Sequence, residues 1–270
     1  MVKIINNDNY QAICINDNID GVTLKNLMIK NDIFSLQVDG YVENLDFLFE
    51  VKDILKKLII DHNAKVENTI IEKLTNLEFL GLNTLGKFNI SFKNFYKLQY
   101  LYLEFDKKIT NINVPNELER LTLLKWKKNH CNIILPHFLN RLEIISNHFE
   151  SLSFIENNQF KELGLYYMPK LVTLNGIFEN KKLQKIHLQS CKRFKNYEEF
   201  FNFPDVEEII IEDCGVIESI QSLKKLPKLK SLRIIGNNDL LDKEIEFINE
   251  LNYYFVCGKI GGKKYNESKK

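Results

Sequence analysis

Three stretches of this chain decide its fold. They are Leu183-Gln-Lys-Ile186-His-Leu188-Gln-Ser-Cys191, Val206-Glu-Glu-Ile209-Ile-Ile211-Glu-Asp-Cys214 and Leu229-Lys-Ser-Leu232-Arg-Ile234-Ile-Gly-Asn237, and each superposes on the next at a 23-residue offset. Each has large apolar residues at its first, fourth and sixth positions and Asn or Cys at its ninth. The apolar–any–apolar alternation inside each has the period of two that a β-strand imposes. With the fourth-position residue as a phase marker, the pattern extends in both directions to Ile13, Leu36, Leu58, Leu80, Leu101, Leu121, Leu142, Leu163, Ile186, Ile209, Leu232 and Tyr254. The steps are 23, 22, 22, 21, 20, 21, 21, 23, 23, 23 and 22 residues. A period held within about 20–29 residues along a whole chain marks a stacked-repeat architecture.

Between the strands the period changes. Phe194, Tyr197, Phe200 and Phe203 superpose on Ile217, Ile220, Leu223 and Leu226. Spacings of three mark a tight helical or 3₁₀ return path with one buried stripe. One repeat is therefore a short strand, a turn and a short return segment. Such a unit cannot bury its apolar face alone, whereas stacked units share one core.

The L-x-x-L-x-L-x-x-N/C pattern resembles the leucine-rich-repeat superfamily over nearly the whole chain. The Ile217/Ile220/Leu223/Leu226 spacing is similar to the short-repeat subclass that includes the phosphatase-1 regulatory subunit, over Leu183 to Leu229. The resemblance implies an α/β right-handed solenoid, a horseshoe or arc. A parallel β-sheet would line its concave face and short helical or 3₁₀ segments its convex face. Residues 1–262 would form a single domain of about 11–12 repeats, and 263–270 a flexible polar tail. It also implies an inward ladder at the ninth position, where Asn18, Asn63, Asn147 and Asn237 fall, with Cys191 and Cys214 in the same slot. Asn there can both donate to and accept from buried backbone groups, and Cys is a small, weakly donating substitute. Leu85, Trp126 and Met168 hold that slot in other repeats, where local distortion is expected.

If each marker points inward, its neighbours point outward. Aromatic side chains concentrate in the central outward set: Phe79, Tyr100, Tyr102 and Tyr166, with Phe105 and Tyr167 nearby. Arg120 and Arg141 lie among them, one repeat apart. Aromatic and Arg side chains dominate the energetics of protein interfaces. The expected partner-binding residues are Phe79, Tyr100, Tyr102, Glu104, Arg120, Arg141, Tyr166 and His187. Outward charges of both signs alternate, which suits a protein partner better than a nucleic acid, whose groove would be basic throughout. The one basic-aromatic run, Lys125-Trp126-Lys127-Lys128, reads as a solvated loop.

Composition narrows the function classes. The 37 Lys+Arg against 36 Asp+Glu give a net charge of +1, which argues against nucleic acid as the partner. No run of about 18 apolar residues is present, so no membrane span is expected. The opening residues lack the apolar stretch of a secretory leader, which points to the cytoplasm. The alternative is a secreted or cell-surface recognition protein whose leader has been removed. The five dispersed cysteines, an odd number, and five dispersed histidines give neither a disulfide framework nor a metal site. No nucleophile elbow, P-loop or H-E-x-x-H is found. Asp61-His62 is a poor dyad because adjacent strand residues face opposite ways. The expectation is a protein with no cofactor and no catalytic site: a regulatory subunit, a scaffold or a neutraliser of another protein. The final strand, Tyr253-Tyr254-Phe255-Val256, would leave an open edge, and dimerisation through it is a lesser expectation than a monomer.

Overall fold

The structure is a computed structural model and describes residues 2–7, 10–40, 42–61, 68–83, 90–104, 114–126, 135–155, 159–242 and 245–269. The chain divides into two compact units, Met1–Phe138 and Leu139–Lys270.

The first unit holds strands β1 (Val2–Asn7), β2 (Tyr10–Ile15), β3 (Ser35–Val38), β4 (Lys57–Ile60), β5 (Phe79–Leu82), β6 (Tyr100–Glu104) and β7 (Arg120–Leu124). β1 pairs antiparallel with β2, and from β2 to β7 each strand pairs parallel with the next. The register follows the sequence phase: Ile13, Leu36, Leu58, Leu80, Leu101 and Leu121 are successive partners. Helix α1 (Gly21–Asn31) is the longest return segment, while α2 (Leu48–Val51) and α3 (Asn68–Ile71) are single turns. The Asp20 carboxylate caps α1 by accepting from the Thr23 N–H, and Asp32 ends it in the left-handed region. A Cβ at Gly21 would stand 2.7 Å from Glu50 Cγ, so glycine lets α1 approach α2 closely.

The second unit holds β8 (Arg141–Ile145), β9 (Glu162–Tyr166), β10 (Lys185–Gln189), β11 (Glu208–Glu212), β12 (Gly215–Ile217), β13 (Ser231–Ile235), β14 (Asn238–Leu240), β15 (Tyr253–Ile260) and β16 (Lys263–Lys269). β8, β9, β10, β11, β13 and β15 form a parallel sheet in that order. Its markers again stand opposite one another, from Leu142 to Tyr254. None of the twelve markers along the chain is more than 4% exposed. The return segments are 3₁₀ turns over Tyr197–Asn202, Gln221–Lys225 and Glu246–Glu250. Phe194, Tyr197 and Phe200 are buried in mutual ring contact, with centroids 5.4–6.0 Å apart. A 3₁₀ turn eclipses positions i and i+3, which is why spacings of three bury one stripe.

Where the strands of this unit end, the chain turns the same way each time. Ser146, Tyr167, Ser190 and Asp213 all have φ between 50° and 55°. A left-handed non-glycine residue costs on the order of 1 kcal/mol or more. Here the turn aims each N–H at the strand-end carbonyl of the next repeat: Ser146 at Tyr166, Tyr167 at Gln189, Ser190 at Glu212 and Asp213 at Ile235, at 2.8–3.1 Å. One residue further lies the ladder. Its side chains are Cys191, Cys214 and Asn238, and the Cys214 N–H donates to Asn238 Oδ1 at 2.8 Å. The same side chains donate backward, Cys191 to the Leu165 carbonyl, Cys214 to Leu188 and Asn238 to Ile211. Burial pushes the Cys191 thiol up to about 12 and raises that of Cys214 as well, so both stay protonated donors.

Several expectations need correction. Asn237 is exposed and Asn238 is the buried ladder residue, because Gly236, at φ 80°, swings the following residue outward. Asn18 is also exposed, although its Oδ1 accepts from the Glu43 N–H. Asn147 is buried, and its Oδ1 accepts from the adjacent His148 N–H rather than from another repeat. Asn63 lies outside the described residues. The expected polar tail is, over Lys263–Lys269, strand β16, paired antiparallel with β15. Gly261 and Gly262, both at positive φ, reverse the chain between them. β15 thus has partners on both sides and no open edge for a dimer.

The ladder assignment is checked by two single substitutions. Asn238→Ala should lower unfolding stability by about 1–3 kcal/mol, because it orphans the Cys214 N–H and removes one donor each from the Ile211 and Ile235 carbonyls. Asn237→Ala should change it by no more than about 0.5 kcal/mol. Urea midpoints of the two variants beside the wild type measure both.

Candidate functional site: the outward faces of the two sheets

In the first unit the residue before each marker forms one row across four strands. Lys57, Phe79, Tyr100 and Arg120 are successive register partners. Their side chains stack as cation, ring, ring, cation. Lys57 Nζ lies 4.4 Å from the Phe79 centroid, Phe79 and Tyr100 meet edge to face at 4.5 Å, and the Arg120 guanidinium lies 4.6 Å from the Tyr100 centroid. Each ring–ring or cation–ring contact contributes roughly 0.5–1.5 kcal/mol. The Tyr100 hydroxyl also bonds the Thr122 hydroxyl at 3.1 Å. Rigid anchors of this kind lose little entropy when a partner binds.

The next row carries Tyr102 between Gly81 and Thr122. Burial, then the neighbouring Glu104, pushes the Tyr102 phenol up to about 12. Glu104 itself is buried rather than presented to solvent, and Lys125 Nζ lies 2.5 Å from its carboxylate. Trp126, expected in a solvated loop, is buried at 2% exposure; Lys127, Lys128 and Phe105 lie outside the described residues.

In the second unit the outward polar groups bind one another. The Arg141 guanidinium holds Glu143 Oε1 at 2.6 Å and Glu162 Oε2 at 3.2 Å. The Tyr166 hydroxyl lies 3.5 Å from Glu143 Oε1 and 3.3 Å from His187 Nδ1, and the two rings meet edge to face. His187 Nε2 lies 3.2 Å from Glu212 Oε2. A carboxylate can only accept, so Nε2 carries the proton and Nδ1 accepts from Tyr166. Gly164 makes this possible, since a Cβ there would stand 2.5 Å from Tyr166 Cε2. Further along, Glu208 accepts from Lys185 at 2.7 Å and Arg233 at 2.5 Å. Burial opposes the Glu208 charge, but those two cations hold its carboxyl below the ordinary range.

The structure thus brings Phe79, Tyr100 and Arg120 into contact in one unit, and Arg141, Tyr166 and His187 into one network in the other. All six are half-buried. Glu143 and Glu212 join the second network; their phase, one and three residues past a marker, signalled their outward direction but not these contacts. Tyr167 stands apart at a left-handed turn and is 53% exposed. Among the described residues no helix is long and apolar enough to cross a membrane, and no three His, Cys, Asp or Glu side chains are grouped to hold a metal ion.

The fold has clear counterparts. An internalin from Listeria monocytogenes matches 85% of this chain and 68% of its own, with a TM-score of 0.51 and 17% identity. A TLR13–ssRNA13 complex matches 91% of this chain with a TM-score of 0.46 and 15% identity, this chain spanning 38% of its length. A leucine-rich-repeat protein of Leptospira interrogans matches 85% of this chain and 79% of its own, with a TM-score of 0.32 and 19% identity. No protein-family model and no curated protein matches the sequence. Together with the parallel registers, the internalin likeness shows the fold of a leucine-rich-repeat solenoid. None of the three structures is a phosphatase-1 regulatory subunit.

Burial lowers the His187 pKa, although Glu212 acts against it. The unfolded chain therefore binds this proton more tightly than the folded one. The neutral imidazole stabilises fully above the ordinary His value of about 6.5, and that stability is lost as pH falls toward the folded value. The wild type should accordingly lose stability relative to His187→Gln between about pH 7.5 and pH 5.5. Urea unfolding of both proteins across that range measures the difference; a gap that widens in favour of the wild type at low pH would mean that Glu212 prevails.

Proposed function

We propose that this protein binds another protein through the outward faces of its two sheets, with Phe79, Tyr100, Tyr102 and Arg120 as the anchor on the first unit and Arg141, Tyr166 and His187 as contacts on the second. The observation that carries this reading is the Lys57–Phe79–Tyr100–Arg120 stack. Half-exposed rings held between cations on consecutive strands are pre-ordered, and interface energetics concentrate in Tyr, Trp and Arg. Charges of both signs on the same faces favour a protein partner over a nucleic acid. The repeat period, unbroken from Ile13 to Tyr254, gives both units the same outward phase.

The reading is non-catalytic. Both ring nitrogens of His187 are engaged, by Tyr166 and by Glu212, within a polar array on the strand face. Cys14, Cys191, Cys214 and Cys257 are free thiols, and that favours the reducing cytoplasm over a secreted role. A regulatory subunit, a scaffold and a neutralising protein all fit this reading.

A pull-down from native extract with mass spectrometry tests it, using the wild type beside Tyr100→Ala/Tyr102→Ala and Tyr166→Ala variants that keep the wild-type circular dichroism. Truncating a hot-spot side chain costs about 2 kcal/mol or more, so capture should fall at least about thirtyfold with the double variant. A partner held equally by the wild type and both variants would contradict the assignment.

A further inference from the structure

The last repeats contain a cleft of about 580 Å³ that the sheet-face reading does not use. That volume lies within the range of ligand-binding clefts. It sits where the strands bend after the left-handed turns. There β12, β14, β15 and β16 bring Val216, Asp239, Lys259 and Lys264 into one cross-strand row, each the register partner of the next. The alternate row, Ile217, Leu240 and Ile260, faces the other way, and its first two members are buried. Val216 is 44% exposed and lines the cleft beside Gly215.

Three features of this row call for a guest. Lys259 and Lys264 stand directly opposite each other, an arrangement that repels across a strand pair. Among the described residues neither lysine has an ion-pair partner. Val216 and the glycine backbone around it offer apolar contact. The missing complement is an anion for the two lysines and an apolar group for Val216.

We propose that this cleft is a second docking site that takes an extended acidic polypeptide segment. A Glu or Asp side chain bridges Lys259 and Lys264, and an apolar side chain covers Val216. Charge complementarity selects this occupant. A nucleic acid needs a longer basic stripe than these two lysines. The site lies wholly in the second unit and stands or falls independently of the sheet-face reading.

A titration of ¹⁵N-labelled protein tests it with three probes: a capped pentapeptide of alternating Leu and Glu, the same peptide with Lys for Glu, and an oligothymidylate. The Leu/Glu peptide should shift the amides of Val216, Asp239 and Lys259 and leave those of Tyr100 and His187 unmoved. Lys259→Gln/Lys264→Gln, both at exposed positions, should weaken it by about tenfold or more, equivalent to about 1.4 kcal/mol, with the remaining amide spectrum unchanged. No shift at millimolar Leu/Glu peptide, equal shifts from the Leu/Lys peptide, or full binding by the double variant would overturn the proposal. Shifts from the oligothymidylate alone would make the cleft a nucleic-acid site instead.

Discussion

Stacking in this molecule depends on hydrogen bonds that pass from the end of one strand to the next repeat. A short strand cannot bury its own turn, and every N–H and C=O left there without a partner costs about 1–3 kcal/mol. The chain meets this with two parallel runs of bonds. Left-handed residues such as Ser190 and Asp213 aim their N–H groups at the next strand end. Beside them Cys191, Cys214 and Asn238 donate to carbonyls of the preceding repeat, and Asn238 also accepts from the Cys214 N–H. Because each bond fixes the register of two neighbours, it also fixes which side chains face outward.

The outward faces follow from that register and differ in kind. In the first unit the Lys57–Phe79–Tyr100–Arg120 stack is an array of rings and cations with ring edges still half-exposed. In the second, carboxylates and cations satisfy one another: Arg141 with Glu143, His187 with Glu212, and Glu208 with two cations. Half-exposed ion pairs of this sort add little to stability, about 0–1 kcal/mol each. Their larger effect is to hold Tyr166 and His187 in one geometry.

Much of this was legible in the sequence. The markers from Ile13 to Tyr254 stand in the register that their spacing implies, and Phe194, Tyr197, Phe200 and Phe203 are buried along a return path as their spacing of three implies. Periodicity could place these because burial repeats with the period. The misses fall where a local backbone choice decides. Gly236 moves the ladder role from Asn237 to Asn238, a rotation that the 23-residue offset cannot reveal. The Gly261-Gly262 pair was a hairpin signal, obscured by a polar stretch that reads as a tail. The outward phase of Tyr166 and His187 was readable from their markers. Their joining with Glu143 and Glu212 was not, because it depends on Gly164 leaving room for a ring.

The inward ladder is the claim on which every outward assignment rests, and the four described free thiols report on it. Native-state labelling with a small thiol reagent, resolved residue by residue by mass spectrometry, is the most direct measurement. Cys191 and Cys214 are buried donors to backbone carbonyls, whereas Cys257 is partly exposed. The account predicts that Cys257 labels readily while Cys191 and Cys214 label only at the rate of global unfolding. Labelling of Cys191 and Cys214 as fast as that of Cys257 would contradict the ladder and the register built on it.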